Sequence, residues 1–369
     1  MKAPIIRPNV DLFKKELMPL LDDILSSNML TNVYKYTGKF EEKIRDYVGS
    51  NNTIAVSSGT SGLILTLEAL GVRKKDIILP SFTFVATPAS AYWTNNKIIF
   101  SEIDDTYTAD PEDVRRKITA NTGAIIAVHM YGNPCYIREL EEIAEEKEIP
   151  LIFDSAHALG SRYGSEKVGI FGTAEIFSLS PTKLITTVEG GCISTNDDDL
   201  AEKLKVLRNY GMKSDYTSES PGLNARLSEI HSAVGLTQVD KIDEFVVNRN
   251  KHVECYKKHL SNIPGISFQR IQEDSTSAHK DFSVHIDPNE FGMDRDELGK
   301  LLEKEGIGTK RYFFPPMHRL NAYRNENISL NVTDRISYGI LSLPIYNYME
   351  NELIDNISGI IKRAHIQPR

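Results

Sequence analysis

Seven short apolar runs, most of them separated by helix-like stretches, constrain this chain more than any other feature. They are Thr53–Val56, Asp76–Leu79, Lys97–Ile103, Gly123–Val128, Pro150–Phe153, Ala174–Leu179 and Gly191–Ser194. Short apolar runs bounded by turn residues read as buried strands. Between them, Ser61–Leu70 carries Leu63, Leu67 and Leu70 on one helical face, and Ile137–Glu148 carries Ile137, Leu140 and Ile143 with its acids toward water. This alternation predicts an α/β fold with a mostly parallel seven-stranded sheet flanked by helices. Ligands of such sheets bind beyond the carboxyl ends of the strands. Chemistry is therefore expected in the residues that follow each run.

After about residue 235 the texture changes. Val239–Ser261 reads as one long, charged helix, and Phe268–Ile286 offers strand-like runs. Asp294–Glu305 reads as a helix capped by Asp294 or by the preceding Gly292, and Glu350–Arg363 as a final helix. The expectation is a large domain over 1–238 and a smaller C-terminal α/β domain over 239–369. The 369 residues suffice for two sizeable cores.

Charge and cysteine usage exclude several classes. A net charge of −8 argues against a nucleic-acid partner, which calls for a basic face. No apolar run approaches the ~20 residues of a membrane helix, and the N-terminal residues Met1 to Pro8 lack the apolar stretch of a signal peptide. Cys135, Cys192 and Cys255 are scattered and form no C-x-x-C pair, which fits a reducing cytoplasm and disfavours a structural zinc. The expected location is cytoplasmic, with no membrane association and no metal.

The run Ala174–Leu179 delivers a single lysine, Lys183, into a loop that closes at Glu189-Gly190-Gly191. A lysine held at the end of a buried strand loses its proton more easily and can attack an aldehyde. Most lysines after strands are merely solvated, so the weight comes from upstream. Ser57-Ser58-Gly59-Thr60-Ser61-Gly62 follows the first strand and opens a helix, which offers amides and a positive dipole end to a phosphate. It lacks the lysine of a nucleotide P-loop, and no G-x-G-x-x-G follows any strand, which removes a Rossmann dehydrogenase. Phe82 or Phe84, after the second strand, could stack on a flat cofactor or serve the core. Asp154 emerges from Leu151-Ile152-Phe153, and a buried carboxylate needs a cationic partner such as a protonated pyridine nitrogen. Ala156 is small enough to pack on a ring face, and His157 could donate to a phenolic oxygen or be a satisfied core histidine. A phosphate loop, a ring stacker, an aspartate and a lysine, each after a strand and in this order, form the constellation of a fold type I pyridoxal phosphate enzyme of the aspartate-aminotransferase kind.

The chain further resembles the DegT/StrS-type nucleotide-sugar aminotransferases. The resemblance is carried by the segments already quoted and by Val128-His129-Met130-Tyr131-Gly132-Asn133-Pro134, Leu207-Arg208-Asn209-Tyr210-Gly211 and Gly222-Leu223-Asn224-Ala225-Arg226-Leu227-Ser228-Glu229-Ile230. Arg311-Tyr312-Phe313-Phe314-Pro315-Pro316-Met317-His318 and Leu341-Ser342-Leu343-Pro344 extend it toward the C-terminus. It implies that Lys183 holds pyridoxal 5'-phosphate covalently and acts as the catalytic base. Thr60, Ser61 and Ser178 would bind the phosphate, Phe84 would stack on the ring, Asp154 would pair with its nitrogen, and His157 would lie near its phenolic oxygen. Asn224 would reach across a homodimer to the neighbour's phosphate, so that the active sites are shared.

The implied reaction moves the amino group of L-glutamate to a keto group of a nucleotide-linked sugar, a dTDP-4-keto-6-deoxyhexose before GDP- or UDP-linked or 3-keto sugars. Members that dehydrate sugars carry histidine in place of the lysine, so Lys183 favours amino transfer. Lys310, Arg311 and His318 could meet substrate phosphates or the glutamate carboxylate, or be surface charges beside a proline-rich turn. Tyr312, Phe313 and Phe314 could line a nucleotide pocket or serve the core. Val188 stands where the family usually has glycine. A β-branched residue disfavours left-handed backbone, so a differently shaped lysine loop is expected.

Overall fold

The computed structural model describes residues 3–8, 10–214, 216–324 and 327–366, so the outer limits of the two expected domains, 1 and 369, lie outside the described residues. All seven expected strands form, in one sheet: β1 (Asn52–Val56), β2 (Asp76–Pro80), β3 (Lys97–Ser101), β4 (Thr122–Val128), β5 (Leu151–Asp154), β6 (Ala174–Ser178) and β7 (Gly191–Thr195). Their order is β1-β7-β6-β5-β4-β2-β3. Only β7 runs antiparallel to its neighbours, pairing Gly191 with both Val56 and Ser178. The register sets Val128, Asp154 and Ile176 side by side, which brings the ends of β4, β5 and β6 to one edge. The strands are buried almost throughout, as in sheets covered on both faces.

The helix Gly59–Ala69 buries Leu65 and Thr66 as well as the expected Leu63 and Leu67. It packs on β6 and β7 and against the helices Ala86–Trp93 and Asp198–Leu207, so it is apolar on more than one side. The helix Ile137–Glu146 is the simpler case, with Ile137, Leu140, Ile143 and Ala144 buried and its acids outward.

The expected helix 239–261 forms as Ile242–Leu260, and Val239 instead closes the preceding helix Glu229–Val239. The N–H of Lys241 turns back to the carbonyl of Gln238, which ends the first helix and lets Val239 and Ile242 both enter the core. Along Ile242–Leu260 the first half (Ile242, Phe245, Val246) packs with the large sheet. The second half (Val253, Tyr256, Leu260) packs in a separate core with the sheet β8 (Ile266–Phe268), β9 (Phe282–Ile286) and β10 (Ile340–Leu343) and the helix Asn351–Ile366. Ala3 also lies in that second core and bridges Ile307. We propose that the two units meet within this helix. The expected run Phe268–Ile286 is strand only at its ends and briefly at Ser275–Thr276. Asp294 caps Arg295–Lys304 by accepting the amides of Asp296 and Glu297 at 2.8 Å, whereas Gly292, with φ 90°, ends the preceding turn Pro288–Phe291.

The lysine loop corrects one expectation. Val188 sits at φ 72°, in the left-handed region it was expected to avoid. The surrounding hydrogen bonds over-determine it. Leu179 exchanges backbone bonds with Gly190 and Thr187 at 2.9 Å, Thr186 Oγ1 takes the N–H of Val188 at 3.0 Å, and Gln238 clamps Thr186 from both sides. Such a residue costs about 1–3 kcal/mol, part of which glycine would give back through its freer unfolded chain. Val188→Gly should therefore stabilise the protein by about 1 kcal/mol, read as a higher urea midpoint at unchanged slope. An unchanged or lower midpoint would show that the strain is no larger than the entropy glycine adds to the unfolded chain.

Candidate active site

The ends of β1, β2, β4, β5 and β6 converge on a cavity of about 320 Å³. Its wall includes Ser58, Gly59, Thr60, Thr83, Phe84, Val128, Asp154, Ala156, His157, Ser178, Lys183, Lys280, Tyr312 and Phe313. The helix Gly59–Ala69 starts here, capped by Ser58, whose side chain takes the amide of Ser61 at 3.1 Å. The amides of Gly59 and Thr60 are the first of that helix and have no intrahelical acceptor. The fit is close: a Cβ on Gly59 would lie 3.1 Å from Ser178 Cβ, and one on Gly191 would lie 2.6 Å from the Gly59 nitrogen. Glycine at these two positions lets the helix start, the end of β6 and the start of β7 pack together.

Asp154 is buried. Thr87 Oγ1 donates to its Oδ2 at 2.7 Å and the Ala156 N–H to its Oδ1 at 3.2 Å, with Thr83 Oγ1 behind Thr87 at 2.8 Å. Burial raises its pKa, and these donors together with nearby Lys183 oppose the rise. A cation placed against it would settle its charge. His157 accepts the Tyr131 N–H on Nδ1 at 3.2 Å, so the proton of the neutral ring belongs on Nε2. Its ring lies nearly parallel to those of Tyr131 and Phe313, with centroids 6.5 and 6.2 Å away. Burial pushes its pKa well below the ordinary range and keeps it neutral. Phe84 is half exposed and tilted against Phe313 at 5.8 Å.

Lys183 enters from the loop after β6, its N–H bonded to the Ser180 carbonyl at 3.1 Å. Burial, and then the charge of Lys280, bring its pKa down to about 7. A substantial fraction of its amine is therefore unprotonated at neutral pH.

Of the residues expected in the site, Thr60, Phe84, Asp154, His157, Ser178 and Lys183 line this one cavity. Ser61 does not. Its hydroxyl turns back to Ser58 in the capping box at the start of its helix. Asn224 is exposed and away from the cavity, its Oδ1 accepting from Arg226 Nε at 3.2 Å. Lys310 and Arg311 are exposed outside it, and Arg311 pairs with Asp296 at 3.4 Å. His318 is fully buried: Ser81 meets its Nδ1 at 2.7 Å and an Asp334 oxygen lies 3.2 Å from Nε2. It ties β2 to the segment after Pro316 and offers nothing to a ligand. Tyr312 and Phe313 reach the cavity, whereas Phe314 packs under Arg295 and against Tyr338.

Lys280 was not anticipated. Its signal was a charged pair, Lys280-Asp281, set against the apolar run that follows. Among the described residues one further cluster could hold a metal, Cys255, His259 and Asp355, and none of the three lines the cavity.

An amine that reacts near neutral pH, a buried carboxylate awaiting a cation, and open amides and hydroxyls at a helix start fit pyridoxal phosphate. A family model for the DegT/DnrJ/EryC1/StrS aminotransferases matches residues 12–362. The chain is 31% identical over 367 residues to a dTDP-4-amino-4,6-dideoxy-D-glucose transaminase of Shigella dysenteriae, covering 98% of this chain and 99% of that one. It is 28% identical over 368 residues to a GDP-perosamine synthase of Vibrio cholerae, covering 97% and 98%. Its fold matches that of DesI, solved in the presence of its TDP-sugar product, with a TM-score of 0.91 at 32% identity over 96% of this chain and 91% of that one. The chain thus belongs to the DegT/DnrJ/EryC1/StrS aminotransferase family, whose enzymes work with pyridoxal phosphate.

Proposed function

We propose that this enzyme moves the amino group of L-glutamate to a keto carbon of a nucleotide-linked sugar, with a dTDP-4-keto-6-deoxyhexose as acceptor. The observation that carries the reading is the meeting of Lys183 and Asp154 in one buried cavity of a chain whose relatives are named for aminated dTDP- and GDP-sugars. GDP- or UDP-linked and 3-keto sugars are the alternative acceptors. Dehydration is disfavoured because position 183 is lysine. The product would enter amino-sugar biosynthesis, as for an O-antigen, capsule or antibiotic sugar.

Pyridoxal phosphate, when bound, supplies an aldehyde for amine exchange and a ring that takes up the electrons of a deprotonated carbon. The residues of the chain do the rest. Lys183 Nζ would hold the cofactor between turnovers, then take the proton from the α-carbon of the donor and return it across the nitrogen, at the carbon of the cofactor's aldehyde. Asp154 would keep the ring nitrogen protonated. His157 would offer its Nε2–H to the ring oxygen. The Gly59 and Thr60 amides and the Ser178 hydroxyl would receive the phosphate, with the helix dipole favouring its charge. Phe84 and Ala156, which line the same cavity, would pack on the ring.

The reading includes a homodimer. Asn224 lies on an exposed face with Tyr210, Leu223 and Ile230, which leaves apolar surface uncovered in the single chain. Packed on a second copy, that face would present Asn224 to the partner's phosphate. No helix of the described residues is long and apolar enough to cross a membrane.

The deciding experiment incubates the protein with pyridoxal phosphate, L-glutamate and dTDP-4-keto-6-deoxyglucose and weighs the sugar nucleotide by mass spectrometry. The amino-sugar mass is expected, with 2-oxoglutarate formed in equal amount. An untouched ketosugar rejects this acceptor, and the same assay then ranks the GDP-, UDP- and 3-keto sugars.

A further inference from the structure

Lys280 is the second lysine of the cavity. It is 4% exposed and Asp281 3%, and the ammonium lies 2.9 Å from both carboxylate oxygens of Asp281. The Tyr312 ring sits 4.9 Å away. The backbone is pinned as firmly. Lys280 N–H donates to the Tyr131 carbonyl at 2.8 Å, and buried Arg249 donates to the carbonyls of His279 and Lys280 at 3.1 Å. A buried ion pair is weak evidence for stability, because both charges are desolvated. An ammonium so placed, on the wall of a ligand cavity and held from three sides, is built to present a donor. Asp281 engages the ammonium with both oxygens and offsets part of its charge. An N–H is left over on the wall of the cavity that Lys280 lines. A carboxylate entering there would meet the Asp281 charge along with the ammonium. A hydroxyl, keto or ring oxygen would meet only the donor.

We propose that Lys280 is a specificity-determining residue for the acceptor half of the reaction, donating its free N–H to an uncharged oxygen of the sugar. The inference rests on the nucleotide-sugar reading of the site.

The test is calorimetric binding to the pyridoxal-phosphate-loaded enzyme without amino donor, a state in which the ketosugar binds but cannot be aminated. Wild type is expected to bind dTDP-4-keto-6-deoxyglucose more tightly than dTDP. In Lys280→Met the ketosugar should weaken about tenfold or more, as for a lost hydrogen bond to a charged group, while dTDP changes less than about twofold. Lys280→Met leaves Asp281 unpaired, so Lys280→Met/Asp281→Asn is measured beside it and should show the same pattern. Equal weakening of dTDP and ketosugar, or an unchanged ketosugar affinity, would each overturn the proposal. A wild type that binds no nucleotide sugar would sink the functional reading and this inference with it. Ketosugar binding that survives in both variants would sink the inference alone.

Discussion

Lys183→Ala should lower amino transfer by at least about 10⁴-fold, since one side chain supplies both the covalent anchor and the proton transfers. The same substitution should not unfold the protein. A lysine with its pKa near 7 in the fold and near 10.5 when unfolded binds fewer protons folded than unfolded between those values. Stability therefore falls as pH drops through that window, and the deficit is complete below about 7. Removing the amine relieves it, so the cofactor-free variant should be at least as stable as wild type at neutral pH. The rate at which cofactor-free wild type takes up pyridoxal phosphate should rise with pH and level off above about 7. A solvated lysine would keep climbing toward 10.5. Turnover within tenfold of wild type in Lys183→Ala would remove the lysine from the chemistry, and a rate still rising at pH 9 would mean that its amine is not desolvated.

Asp154→Asn is the second large effect. The amide keeps the shape and an acceptor for Thr87, but it cannot hold a positive ring nitrogen. Removing the charge of one partner of a buried pair costs about 2–5 kcal/mol, so kcat/KM should fall about 30- to 5,000-fold. The cofactor-free variant should be as stable as wild type or more so, because burial alone disfavours the Asp154 charge. Loss of activity together with loss of folding would make Asp154 structural. Activity close to wild type would exclude it as the partner of the ring.

Much of the site was readable because each residue is announced locally. Lys183, Asp154 and the Ser58–Gly62 turn each follow an apolar run, and a parallel sheet brings such strand ends to one edge whatever the loops do. The residues that lie outside the cavity share a different cause. Residue type alone does not tell that His318 is buried against Ser81 and Asp334, or that Arg311 stands on the surface beside Asp296. Nor does it tell that the Ser61 hydroxyl turns back to its own helix cap. Val188 was judged by its intrinsic preference, which the hydrogen bonds of the loop override.

Local periodicity and the residues just beyond each strand thus determined the sheet, the family likeness and the cofactor chemistry, because these depend on neighbours within a few positions along the chain. Tertiary structure decided which polar groups remain open to a ligand. It buried His318, turned Asn224 outward and brought Lys280, just before β9, to the same cavity as Lys183, after β6. Pairing and burial are set largely by side chains far apart in sequence, which a local pattern does not record.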